Sequence, residues 1–187
     1  MTKDDITPEL LKKLLRYEPE TGKLFWLKRT PDMFESGKLP AQHRCNTWNG
    51  KYSGKKAFSI NGKGYIDGKI FNINFKAHRV AWTLFHGEWP KEQIDHIDGN
   101  RTNNKISNLR AVSQAENSKN VRLTDANTSG VVGVYWYKRK GKWCAEIKCD
   151  YKKIFLGYFD EFQDAVAARK NAEKKYGFHP NHGRAND

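Results

Sequence analysis

The stretch from Ile94 to Asn120, IDHIDGNRTNNKISNLRAVSQAENSKN, constrains the fold more than any other part of the chain. Ile94 to Ile97 reads as a short strand, and Asp98-Gly99-Asn100 is a turn sequence. Asn108 to Val112 (NLRAV) reads as a second strand. Ser113 followed by Glu116 is a capping box: the hydroxyl takes the backbone N–H three residues on, and the carboxylate takes the one at the cap. A helix is therefore predicted from about Gln114. The order strand, loop, strand, helix puts Asp95 and His96 on the first strand and Asn117 in the first turn of the helix. The Asn and Gly content alone would indicate no more than a loop.

An acid, a histidine and several amides in one short unit suit phosphodiester hydrolysis. Water must be deprotonated, and positive charge is needed near the phosphate and the leaving oxygen. Histidine is the usual base near neutral pH. A hard cation such as Mg²⁺ takes carboxylate and amide oxygens. Asp95 offers the carboxylate. Neighbouring strand residues point to opposite faces, so Asp95 and His96 serve together only if the strand bends, and the Asp98-Gly99 turn allows that.

Charge agrees with this chemistry. The 187 residues carry 34 Lys and Arg against 21 Asp and Glu, a net charge of +13, which favours a polyanionic partner. The apolar share of 37% supports small cores, in one domain or two small ones. No apolar run reaches the roughly 18 residues that a membrane span needs. The opening MTKDDITPELLKK lacks the apolar centre of a signal peptide. Cys45, Cys144 and Cys149 form no C-x-x-C pair, so neither a disulfide framework nor a cysteine zinc site is expected, which fits a reducing cytoplasm.

Elsewhere, Thr7-Pro8 reads as a helix start, with Leu10, Leu11, Leu14 and Leu15 carrying a helix to about Tyr17. A turn at residues 18–22 and a strand from Lys23 to Lys28 follow; residues 31–55 read mostly as loop. Asn61-Gly62 and Asp67-Gly68 signal hairpin turns between short strands over 57–75. Ala77, Val80, Ala81, Leu84 and Phe85 share a helical face that ends at Gly87 and Pro90. His78, just ahead of that face, is a candidate for lining the site, whereas His43, His86, His179 and His182 read as surface or packing residues. Residues 123–130 suit a linker. After it come three alternating strands, with turns near Lys140-Gly141 and Cys149-Asp150, and a helix capped by Asp160 that runs to about Tyr176 and stops at Gly177. Trp136, Trp143, Phe155, Phe159 and Phe162 are expected to pack this last part.

Asp95-His96, NNKISNLR at 103–110 and Glu116-Asn117 resemble the HNH endonucleases, specifically the phage and intron-encoded homing branch in which Asn replaces the final His. AHRVAW at 77–82 and the text before it look like the usual lead-in. The resemblance implies a ββα-metal motif. It makes His96 the general base and Asp95 and Asn117 ligands of one divalent cation, Mg²⁺ or another such as Mn²⁺. It makes Asn108 the structural amide that holds the histidine loop, with Asn104 the alternative occupant of that role.

Gly133-Val134, GKWCAEIK at 141–148, FLGYF at 155–159 and DAVAARKNAEKKYG at 164–177 resemble the Apetala-two type DNA-binding domain, whose three-stranded sheet lies in the major groove. Tyr135 and Tyr137 stand where Arg often reads bases, and Phe155 where Trp is common, so that family's sequence preference does not carry over.

The expectation is an α+β chain. Residues 1–55 form an N-terminal region, 56–122 a nuclease domain, 123–130 a linker and 131–187 a small sheet-plus-helix DNA-binding domain. The expected activity is metal-dependent hydrolysis of double-stranded DNA, by a protein of the cytoplasm of a bacterial or phage-infected cell, with a monomer favoured. Arg79, Arg101 and Arg110, together with Lys138, Arg139, Lys140, Lys142, Lys148, Lys152 and Lys153, are the expected phosphate contacts. The rivals are a DNA-binding regulator with an inactive nuclease domain and a structural nucleoprotein; neither calls for the filled Asp-His-Asn-Asn set.

Overall fold

The computed structural model describes residues 2–35 and 37–185 and is a mixed α/β chain of small antiparallel sheets and five α-helices among those residues. It packs as two units, residues 1–111 and 112–187.

The first unit opens with α1 (Pro8–Leu14), whose first turn is closed by the Thr7 hydroxyl accepting from Leu10 N–H at 3.2 Å. The helix stops three residues before the expected end. Leu15–Glu18 is instead β1, paired with β2 (Lys23–Trp26) in the register Leu15↔Trp26 to Glu18↔Lys23. Pairing wins because it buries Leu15, Leu24 and Trp26 in the same core as Leu11 and Leu14, which overrides a weak local helix preference.

The expected loop over 31–55 is also corrected: Pro31–Met33 is a 3₁₀ turn and Ala41–Tyr52 is α2. Little apolar periodicity announced α2. It is held by polar contacts to one backbone site: Asn49 Nδ2 and Cys45 Sγ donate to the Arg29 carbonyl at 2.9 and 3.1 Å, and Arg29 N–H donates to Asn49 Oδ1 at 2.8 Å.

Strands β3 (Ser59–Ile60), β4 (Ile66–Ile70) and β5 (Ile73–Lys76) form one antiparallel sheet. Asn61 makes the first turn, its side-chain oxygen accepting from Lys63 and Tyr65 N–H. Asp67-Gly68 is not the second turn. It lies inside β4, and the chain reverses at Phe71-Asn72, both at positive φ (47° and 65°). The next helix, α3 (Ala77–His86), ends on Gly87 in the left-handed conformation. Ala77, Val80 and Ala81 are buried as expected, but Phe85 is 51% exposed; His78 and Thr83 take the inward positions instead. β6 (Gln93–His96) and β7 (Leu109–Val112) then form a two-stranded sheet, joined by a loop with a 3₁₀ turn at Ile106–Asn108. Ile94 and Leu109 pack with Ala81, Tyr17 and Trp82.

The second unit begins with α4 (Gln114–Ser118), where both halves of the capping box form: Glu116 N–H to Ser113 Oγ at 3.2 Å and Ser113 N–H to Glu116 Oε2 at 3.0 Å. In the segment expected as a linker, Leu123 N–H donates to the Arg184 carbonyl and Asn127 Nδ2 to that of Val131. Strands β8 (Val134–Tyr137), β9 (Lys142–Cys149) and β10 (Lys152–Phe159) form a sheet in the order β10-β9-β8, and α5 (Phe162–Lys175) covers one face. Val134, Ala145 and Ala165 are its core, with Trp143, Phe159 and Phe162 packed around them; Trp136 and Phe155, 47% and 56% exposed, pack on the sheet against Trp143 and Tyr158. Asp160 does not cap α5. It pairs with Lys142, and Glu161 takes the cap position without a side-chain bond.

Arg169 on α5 is 2% exposed and holds the C-terminal segment: Nε donates to Glu173 at 2.9 Å, one terminal nitrogen donates to the Glu146 carbonyl at 2.7 Å, and the other lies 3.1 Å from His182 Nε2. Burial, with Arg169 and Lys170 adding to it against the opposing pull of Glu173, pushes His182 down to about 4 from 6.5. The unfolded chain therefore binds a proton that the folded chain refuses. The contribution of His182 to stability is full above pH 6.5, is lost as pH drops from 6.5 to about 4, and changes no further below that. After allowance for solvent screening, the contribution of His182 is on the order of 2 kcal/mol. Denaturant melts of the full chain at several pH values should show a shallower decline in His182→Gln; equal declines would remove His182 as the cause.

Candidate functional site

Within the first unit, β6 delivers Asp95 and His96 to buried positions, 9% and 4% exposed. The two side chains meet different partners. Asp95 Oδ2 accepts from Arg110 Nε and a terminal guanidinium nitrogen, at 3.2 and 2.9 Å. His96 Nε2 lies 2.9 Å from Asn104 Oδ1. This contact sets the orientation of the ring. The His96 ring meets His78 edge-on, centroids 5.0 Å apart and planes at 90°, and Tyr65 closes the same side at 6.3 Å.

The loop after β6 is built from its own amides. Asn108 Oδ1 accepts from Asp98 N–H at 3.0 Å, while its Nδ2 donates to Asp98 Oδ1 at 2.9 Å and to the Asn103 carbonyl at 2.8 Å. Asn103 Nδ2 donates to Asp98 Oδ2 at 2.7 Å. One residue thus ties together both ends of the turn that follows His96. Burial alone would raise the Asp98 carboxyl, but hydrogen bonds from Asn103, Asn100 and Asn108 hold it below the usual carboxylate range. Beneath the loop lies the β1–β2 hairpin: Tyr17 Oη donates to the Asn104 carbonyl at 2.7 Å, and Ile106 N–H donates to the Pro19 carbonyl at 3.2 Å.

Burial also sets the histidines. His78 is pushed down to about 3 by burial, reinforced by His96, Arg79 and Lys76. His96 is lowered by burial, against the opposing effects of Asn104, Asp95 and Asp98. Both rings are therefore neutral at pH 7, the form in which a histidine accepts a proton.

The remaining sequence candidates fall in several places. Asn117 lies on α4 in the second unit, its carbonyl taking the N–H groups of Lys119 and Asn120. Arg110 is engaged with Asp95. Arg79 donates to the carbonyls of Pro90 and Glu92, bracing the connection from α3 to β6. Arg101 donates to the Lys63 carbonyl and stacks over Tyr65 at 4.7 Å. In the second unit, Lys142 pairs with Asp160 and Lys153 with Glu146, Lys140 lies over the Tyr158 ring, and Lys138, Arg139, Lys148 and Lys152 are exposed. Sequence reasoning gave Asn104 second place to Asn108; the structure gives the two amides different tasks, Asn104 at the imidazole and Asn108 in the turn. The Asn103-Asn104 doublet was the available signal, but it does not say which amide reaches back eight residues.

Comparison with known proteins bears on the same stretch. Residues 75–119 match the family model described as HNH endonuclease. The chain is 37% identical over 79 residues to Protein 3.8 of Escherichia phage T7, an alignment covering 42% of this chain and 65% of that protein, so the chain spans somewhat less than two thirds of its relative. No solved structure matches.

Proposed function

We propose that the chain is a metal-dependent endonuclease that hydrolyses phosphodiester bonds of double-stranded DNA, acting as a soluble protein in a phage-infected cell. The observation that carries this reading is the arrangement at His96. A buried, neutral imidazole is oriented by Asn104 on a loop tied by Asn108, inside the stretch that matches the HNH endonuclease model. His96 is the general base. His78 and Tyr65 pack its ring, and Arg110 fixes the Asp95 carboxylate.

The donor set fits a hard divalent cation. Asp95 offers a buried carboxylate, the oxygen donor that Mg²⁺ takes while keeping several waters. Asp95 would hold it, with Asn117 as the second oxygen ligand; the part of Asn117 rests on the sequence pattern alone. Such an ion, Mg²⁺ or Mn²⁺, supplies positive charge for the scissile phosphate and the departing oxygen. The second unit is the proposed DNA-gripping module. Its support is the Apetala-two type resemblance together with the exposed Lys138, Arg139, Lys148 and Lys152.

The test is supercoiled plasmid with Mg²⁺, with Mn²⁺ and with excess chelator, products resolved as nicked or linear. Cleavage should require the cation. Asp95→Ala should cut at least about tenfold more slowly, with its activity shifted to higher metal concentration, since it loses one ligand and leaves Arg110 unpaired. Full activity in chelator would sink the mechanism.

A further inference from the structure

Arg29 is a buried charge without a counter-charge. It is 7% exposed, its Nε has no hydrogen-bond partner, and among the described residues its guanidinium makes no ion pair. An arginine cannot escape by losing its proton, so a buried guanidinium normally takes a carboxylate or several carbonyls. Here it takes aromatic faces instead: it lies 3.9 Å from the Trp48 ring centroid, 5.0 Å from Phe71 and 5.5 Å from Trp26. Burial lowers its basicity. Its backbone is pinned at the same time, because the Arg29 N–H and carbonyl are both bonded to Asn49 of α2. The side chain therefore enters its aromatic cage from a fixed anchor.

The cage opens on a cleft. Arg29 lines it together with Trp48, Tyr52, Lys69, Phe71 and Arg44. Asp32 and Glu35 line the same cleft. Arg44 is held by the Glu35 carbonyl, and Lys69 is exposed. None of the residues around Asp95 and His96 lines this cleft. A cleft lined by a buried guanidinium, a lysine and aromatic rings matches a phosphate carrying an attached flat ring. The guanidinium fork suits phosphate oxygens, and bases stack on aromatic faces.

We propose that the Arg29 cleft is a phosphate-binding subsite that holds a backbone phosphate of the nucleic-acid strand away from the reacting centre. Trp48 and Tyr52 give the neighbouring base a stacking surface. The subsite rests on the nucleic-acid reading above, but on neither His96 nor the metal. The rival is a purely structural arginine, stacked as core or paired in solution with Asp32 or Glu35.

The test uses the full chain in chelator, so that binding is measured without cleavage. The ¹⁵N resonance of Arg29 Nε is followed while inorganic phosphate, and separately a short DNA duplex, is added. Both should shift it. Arg29→Gln should melt close to the wild type, because a buried unpaired charge is removed. It should bind the duplex about tenfold more weakly. Its salt dependence should be shallower by about 0.9 in log–log slope, one phosphate fewer. Asp32→Asn should tighten binding and leave the melting temperature unchanged. His96→Ala should keep wild-type affinity and slope, so failure of the cleavage reading and failure of this one are separable. A resonance moved by phosphate but not by DNA would overturn the strand as the source. A resonance moved by neither would overturn the subsite. So would an Arg29→Gln chain of lower stability and unchanged affinity, or an Asp32→Asn chain destabilised as much as Arg29→Gln. The wild-type titration decides the matter even if Arg29→Gln does not fold.

Discussion

His96→Ala should fold, bind DNA with unchanged affinity and hydrolyse it ~10²–10⁴-fold more slowly, the usual consequence of losing a general base. The ring is 4% exposed and contacts Asn104 and His78, so its removal opens a small cavity and takes the hydrogen-bond partner from a buried amide oxygen. That should cost about 1–3 kcal/mol of stability. The two losses are measured separately: plasmid cleavage at saturating Mg²⁺ reports the chemistry, and a urea melt of the same preparation reports the fold. Affinity should be untouched because the phosphate contacts proposed for this chain lie on other residues. Near-normal cleavage by a folded His96→Ala protein would remove the proposed role.

Gly22→Ala should be among the most destabilising single changes in the first unit, although Gly22 lies far in sequence from every candidate catalytic residue. Gly22 has φ +71°, a conformation that costs any L side chain energy. A Cβ there would also sit 2.5 Å from both the Asn104 carbonyl carbon and the Lys105 nitrogen. These are backbone atoms, so no side chain can swing aside; either the β1–β2 hairpin or the His96 loop must move. We expect a loss of about 3 kcal/mol or more. Cleavage should also fall in the fraction that remains folded, because the displaced segment is the one that presents Asn104 to His96. Gly62→Ala is the control. Gly62 has ordinary φ and open space around its Cα, so stability should stay within about 0.5 kcal/mol of the wild type. Equal urea midpoints for Gly22→Ala and the wild type would show that the hairpin does not press on the loop.

Features settled over a few residues were legible in the sequence. The Thr7 cap, the Ser113–Glu116 box, the Asp98-Gly99-Asn100 turn and the Gly87 stop are all read from neighbours three or four positions apart, and each forms as expected. The placing of Asp95 and His96 on one short strand was legible for the same reason. The rest depended on contacts between segments distant in the chain. α1 gives way to a strand at Leu15 because a partner strand and a shared core reward it more than one further helical turn. α2 forms where periodicity is faint because its side chains grip the Arg29 backbone. Phe85 turns outward while His78 goes in, because the His96 side of α3 is filled by rings. Arg110 was expected on phosphate and is engaged with Asp95. Asn104 reaches the imidazole because Tyr17, 87 positions away, holds its carbonyl from below. A hydrogen bond is as strong between distant residues as between neighbours, but its partner is chosen by the packing of the whole unit, and that choice leaves no local mark in the sequence.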